Sequence, residues 1–98
     1  VYGYIGSMRT EPGRRDEVAA LLLRSADALR AFGCRSYVVG VSDSDADVIW
    51  VTEVWESKEA HDASLDLPEA QDAIAAAMPL LTGEFTRQET TIVGGLGA

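Results

Sequence analysis

Residues 48–55 read Val48-Ile49-Trp50-Val51-Thr52-Glu53-Val54-Trp55, a strand apolar on both of its faces. Side chains alternate along a strand, so Val48, Trp50 and Val54 point one way while Ile49, Val51 and Trp55 point the other. A sheet with one face in water alternates apolar with polar residues, and this segment does not. Both faces therefore need cover. The helices of so short a chain, 98 residues, can roof one side only. Leaving the second side bare would expose a larger apolar patch than a monomer commonly shows. The expectation is a second copy packed on that side about a two-fold axis, a homodimer.

The remaining segments supply partners for this strand. Val1 to Met8 reads as a strand with Tyr2, Tyr4 and Met8 on one face and Val1 and Ile5 on the other. Thr10-Glu11-Pro12-Gly13 breaks the extended run and starts a helix, with Pro12 in a first turn that does not need its missing N–H. Val18, Leu21, Leu22, Ser25 and Leu29 form the inner stripe of that helix, and Gly33 stops it. Cys34 to Val41 is a second strand, followed by the polar connection Ser42 to Asp47. After the strand at 48–55, Ser57 caps a short helix and Pro68 opens another, with Ala70, Ile74, Ala77 and Met78 at helical spacing. Pro79 and Gly83 end it, and Glu84 to Val93 is the last strand. The order β-α-β-β-α-β with right-handed crossovers gives an α+β, ferredoxin-like fold: a four-stranded antiparallel sheet with the helices on one face. Residues 1–93 form one domain, and 94–98, rich in glycine, a flexible C-terminal tail.

Composition excludes several classes of function. Net charge is −8, and residues 36–98 hold twelve acids against Lys58 and Arg87 alone. Such a surface repels polyanions, so neither nucleic acid nor an anionic membrane is expected as a partner. No stretch approaches the about 20 apolar residues of a spanning helix, and no signal region opens the sequence, so a cytoplasmic location is expected. One Cys and one His cannot close a zinc site, and no calcium-loop spacing occurs, so no protein-held metal is expected. No phosphate-cradling glycine loop is present. His61, Asp62 and Ser64 supply the ingredients of a triad, but without a nucleophile elbow or an oxyanion hole.

What remains is a constellation around the strand at 48–55 and the helix after it. His61 is the one side chain of a type that exchanges protons near neutral pH, on a helix passing over the end of the sheet. Glu53 is the only acid of its strand, and buried it would need a partner such as Arg9, Arg35 or Arg87. A place at the dimer seam would suit such a pair. Trp50 and Trp55 face opposite ways, so at most one of them lines a pocket beneath the helices. Tyr2, Tyr4 and Tyr37 add phenols that either meet a ligand or cap the core. Cys34 reads as a small buried hydrophobe.

Trp55-Glu56-Ser57, with Val51-Thr52-Glu53-Val54 before it and Lys58-Glu59-Ala60-His61 after it, resembles the antibiotic-biosynthesis monooxygenase family. Pro12-Gly13, Gly33-Cys34-Arg35-Ser36-Tyr37 and Leu67-Pro68 fit the same pattern, so the resemblance spans residues 1–93. It implies a dimeric α+β barrel of ferredoxin-like subunits, with an apolar pocket between sheet and helices. It also implies an oxygenase that needs no cofactor, in which an aromatic substrate reduces O₂ itself and leaves as a quinone. In such members the Trp of the W-E-S motif lines the site, and the residue six positions on, often Tyr, hydrogen-bonds the substrate. Here these are Trp55 and His61. A haem-degrading branch that uses an Asn, a Trp and a His fits poorly, because the sequence has no Asn and the later Trp and His positions fall near Ser64 and Ile74. A branch acting on quinols shares the W-E-S region.

The expected function is thus a cofactor-independent monooxygenase for a phenolic or aromatic polyketide-like substrate. His61 would accept the proton or the hydrogen bond. Trp55, Tyr37 and Trp50 are the pocket candidates, and Glu53 would orient a neighbour. The alternatives from other classes are a non-catalytic ligand-binding dimer and a non-oxidative cyclase or isomerase using the same pocket.

Overall fold

A computed structural model describes residues 1–24 and 26–98. The expected order of elements is present. Strand β1 spans Tyr2–Thr10, helix α1 Arg15–Arg24, β2 Cys34–Val41, β3 Val48–Trp55, α2 Lys58–Ser64, α3 Pro68–Ala77 and β4 Leu81–Thr91. The sheet order is β2-β3-β1-β4, every neighbouring pair antiparallel, which is the ferredoxin-like arrangement.

The two faces of the sheet separate as alternation dictates. Ile49, Val51, Glu53 and Trp55 point under the helices and are buried, together with Val18 and Leu21 of α1. Trp50 on the opposite face is 46% exposed, beside Val38 and Ile5. The apolar outer face therefore stands bare in the single chain.

Three boundaries depart most from expectation. Pro12 does not enter a helix: Glu11-Pro12-Gly13 form a turn in which Gly13 has φ +79°, and α1 starts two residues later. Only glycine accepts that φ cheaply, and a helix cannot run through it. The first helix also stops at Arg24 instead of continuing to Gly33. Ala26–Phe32 wind more tightly as a 3₁₀ segment, and the chain then turns at Gly33, with φ +99°. Leu29 still packs against the core cluster of Tyr2, Cys34 and Trp55 from this segment, whereas Ser25 lies outside the described residues. Finally, β4 begins at Leu81 rather than Glu84, so Gly83 does not end a helix. Thr82–Glu84 bulge opposite Arg9, between the pairs Met8↔Phe85 and Thr10↔Leu81, and Gly83 takes φ +94° there.

Salt bridges brace the end of the sheet opposite His61. Arg9 grips Asp45 through two bonds of 2.7 and 3.2 Å and reaches Glu84 at 2.8 Å. Arg15 donates to the carbonyls of Ser42 and Asp45, so α1 and β1 both hold the connection between β2 and β3. Among the described residues no helix is long and apolar enough to cross a membrane.

Candidate functional site

The register of the sheet assembles a row of polar and aromatic side chains under the helices. Tyr37 of β2 lies beside Glu53 of β3, Glu53 beside Tyr4 of β1, and Tyr4 beside Glu89 of β4. One step along, Cys34, Trp55, Tyr2 and Thr91 form the adjacent row. Helix α2 crosses above these rows. Its start is fixed by Ser57, whose Oγ accepts the Ala60 N–H at 3.1 Å, and the next turn carries His61 down onto the sheet.

Three rings enclose the His61 imidazole. Tyr4 stacks on it at 5.5 Å, Tyr2 lies tilted at 5.2 Å, and Trp55 meets it edge-on at 5.5 Å. Only 12% of the His61 side chain is exposed. Its Nδ1 lies 3.0 Å from Asp62 Oδ1. That hydrogen bond holds the Asp62 carboxyl below its usual range, and Lys58 nearby acts in the same direction. An ionised carboxylate can only accept, so Nδ1 donates, and in the tautomer with its proton there Nε2 carries the lone pair. Nε2 faces the interior, 4.0 Å from Glu53 Oε1.

Glu53 is paired differently from expectation. Its Oε1 accepts the Trp55 indole N–H at 2.9 Å, and among the described residues no arginine, Arg35 included, pairs with it. Arg9 sits on the other side of the sheet with Asp45 and Glu84, and Arg87 turns to Glu89 at 3.1 Å. Nor does Glu53 lie on the bare outer face where a dimer seam was expected; it lies beneath the helices. Burial raises its pKa, and the Trp55 N–H and His61 partly offset that rise. Burial, and then the Glu53 carboxylate, push the Tyr37 phenol far above the usual range and raise the Cys34 thiol. Cys34 Sγ donates to the Ser36 carbonyl and belongs to the core cluster around Trp55. Ser64 donates to the His61 carbonyl at 2.6 Å, not to its ring, so the triad ingredients do not assemble.

These groups line one end of a cavity of about 800 Å³ between sheet and helices. Leu21 and Leu22 of α1, Leu29, and Ile74 of α3 supply much of its apolar wall. Gly6 keeps the floor low, since a Cβ there would stand 2.9 Å from the Tyr4 ring. Residues 82–89 of β4 are all exposed, Phe85 among them, so the cavity is open on that flank. Phe85, Ile74 and Met78 stand half-exposed along it, which is why the expected inner stripe of α3 is buried only at Ala77. Near the mouth, Lys58 lies 3.5 Å from Asp62 and 3.6 Å from Glu89.

The cavity thus gathers His61, Trp55, Tyr37 and Glu53. Trp50 does not reach it: its position has the opposite parity to Trp55 and its side chain projects from the outer face. The sequence named Asp62 beside His61 only as an ingredient of a triad; the structure pairs these two without Ser64.

The model of the antibiotic biosynthesis monooxygenase family matches residues 2–76. Among solved structures, a candidate antibiotic biosynthesis monooxygenase from Chloroflexus aurantiacus is 49% identical, with a TM-score of 0.88 over 97% of this chain and 95% of its own. A candidate from Deinococcus radiodurans has 23% identity and a TM-score of 0.81 over 98% and 96% of the two chains. One from Caulobacter crescentus has 22% identity and a TM-score of 0.85 over 95% and 90%. The latter two share the fold. Among proteins of curated function, none matches this sequence.

Proposed function

Since the chain belongs to the antibiotic biosynthesis monooxygenase family, we propose that it binds a hydroxylated aromatic in this cavity and oxidises it to a quinone with O₂, without a cofactor. The observation that carries this reading is the His61 imidazole. It is almost enclosed, Asp62 holds its Nδ1, and its free Nε2 faces an apolar chamber. A base in that setting takes a phenolic proton where water does not compete to solvate the anion.

The chemistry follows from the substrate's own electrons. His61 Nε2 takes the hydroxyl proton, and the electron-rich anion passes one electron to O₂. The substrate radical and superoxide combine into a peroxide. Loss of water then breaks the O–O bond and leaves a carbonyl. Two hydrogens leave the ring system, one oxygen atom stays, and the other departs as water. The protein contributes desolvation, orientation between Trp55 and Tyr37, and a place for the proton. Cofactor independence is carried over from the family resemblance.

A homodimer is part of the proposal. The support is the bare outer face, where Trp50, Val38 and Ile5 are exposed together on a sheet whose other face already holds the core.

The test is O₂ uptake by metal-free protein given anthrone-type and naphthol-type phenols. Uptake should scale with enzyme and fall about 100-fold or more in His61→Ala. Aromatic binding without O₂ consumption would instead mark a ligand-binding dimer, and product formed without O₂ a cyclase or isomerase.

A further inference from the structure

The inner end of the cavity holds two hydrogen-bonding groups that no protein contact consumes. His61 Nε2 has no hydrogen-bond partner among the described residues, and it stands 4.0 Å from Glu53 Oε1. That distance is too long for a direct bond, but it admits one oxygen at about 2.8 Å from each atom. Glu53 Oε1 spends one lone pair on the Trp55 N–H and keeps another. Glu53 Oε2 has no partner among the described residues, yet it is not sealed in the core. Glu53 lines the cavity, so this oxygen opens there.

We propose that this end of the cavity is a subsite for an uncharged hydroxyl of the ligand, held between His61 Nε2 and Glu53, and that Glu53 makes the site reject aromatic carboxylates. The proposal rests on the reading that the cavity takes aromatic ligands, and it names which of them fit. A hydroxyl can donate to either acceptor while its ring lies against Tyr4 and Trp55. A carboxylate arrives already charged and brings that charge against a buried carboxyl inside an apolar wall, whereas a phenolate formed in place keeps the proton it gave up beside it on His61. The basic side chains near the cavity do not relieve that conflict. Lys58 is drawn to Asp62 and Glu89, and Arg87 to Glu89, at the mouth rather than the inner end. Glu53 is thus a specificity-determining residue whose role differs from packing. Neutralising it should change which ligand binds, not only how stable the protein is.

The test is calorimetric titration of the wild-type protein at about pH 8, where an aromatic acid is ionised and a simple naphthol is not. The probes are 2-naphthol, 2-naphthoate and 2-naphthamide, the last an uncharged isostere of the acid. Naphthol and naphthamide should bind at least about tenfold tighter than naphthoate, and Glu53→Gln should close that gap about tenfold. The wild-type comparison of amide with acid separates charge from shape even if the variant does not fold. Equal binding of naphthoate and naphthamide, or an unchanged ratio in folded Glu53→Gln, overturns the subsite. So does tighter binding of a naphthylmethylammonium ion than of naphthol, which would make this a cation site. If naphthol drives O₂ uptake while acid and amide bind alike, the subsite fails and the oxygenase reading stands. If none of the probes binds, both fall.

Discussion

Glu53 has a protonation equilibrium that folding shifts, because burial raises its pKa above the ordinary carboxyl value. The folded state therefore holds this proton more tightly than the unfolded chain does. The resulting stabilisation is fully present below the unfolded pKa and is lost as pH rises through the folded one. Glu53→Gln keeps an oxygen for the Trp55 N–H and carries no charge. The variant should match wild type in urea unfolding near pH 4 and become the more stable of the two as pH rises toward 8. Asp45 works in the opposite sense: the Arg9 guanidinium holds its pKa down, so its stabilisation is present above the ordinary value and lost on acidification. That contribution is common to both proteins and cancels in their difference. The sequence showed that Glu53 needed a partner but pointed to arginine. The true partner, Trp55, lies two residues along the same strand and so on the same face. Charge pairing was the wrong guide here, because which arginines share a face with Glu53 depends on the pairing of strands. Arg9 fell on the outer side and Arg87 on an edge strand. Parity along β3 separated Trp50 from Trp55, but only the placement of the helices decided which of them met the cavity.

At the scale of elements, the seven-residue helix α2 is the delicate piece, since a helix that short has little stability of its own. The Ser57 cap holds its first turn, and His61 sits one turn on. Ser57→Ala should cost about 1 kcal/mol in thermal or urea unfolding. It should also lower O₂ uptake, because fraying at the cap lets the imidazole leave its three rings. Ser57→Thr, which keeps the hydroxyl, should restore both. Strands β2 and β3 were legible to the residue, since turn chemistry and apolar runs bound them on both sides. The ends of α1 and β4 were not. Helical periodicity continues through Leu29 whether the winding is α or 3₁₀. Gly83 reads as a helix stop when its positive φ serves a bulge instead. The second misreading comes from an ambiguity of glycine, which announces a turn of the backbone but not the element to which the turn belongs.

For the whole molecule, the bare outer face is where the proposed dimer would form. Trp50→Glu puts a charge at the centre of that exposed apolar surface without touching the cavity. If two copies pack there, light scattering at micromolar concentration should report a dimer for wild type and a single chain for the variant. A wild-type protein that scatters as one chain would remove the dimer from the proposal and leave the cavity as it is. The flank along β4 has a different consequence. With Phe85 half-exposed there, a guest can slide in and out sideways without any segment of backbone having to swing aside. Turnover in such a vessel would be paced by the chemistry or by how firmly the guest grips the inner end, and a long, many-ringed molecule could overhang the rim with its far end still wet.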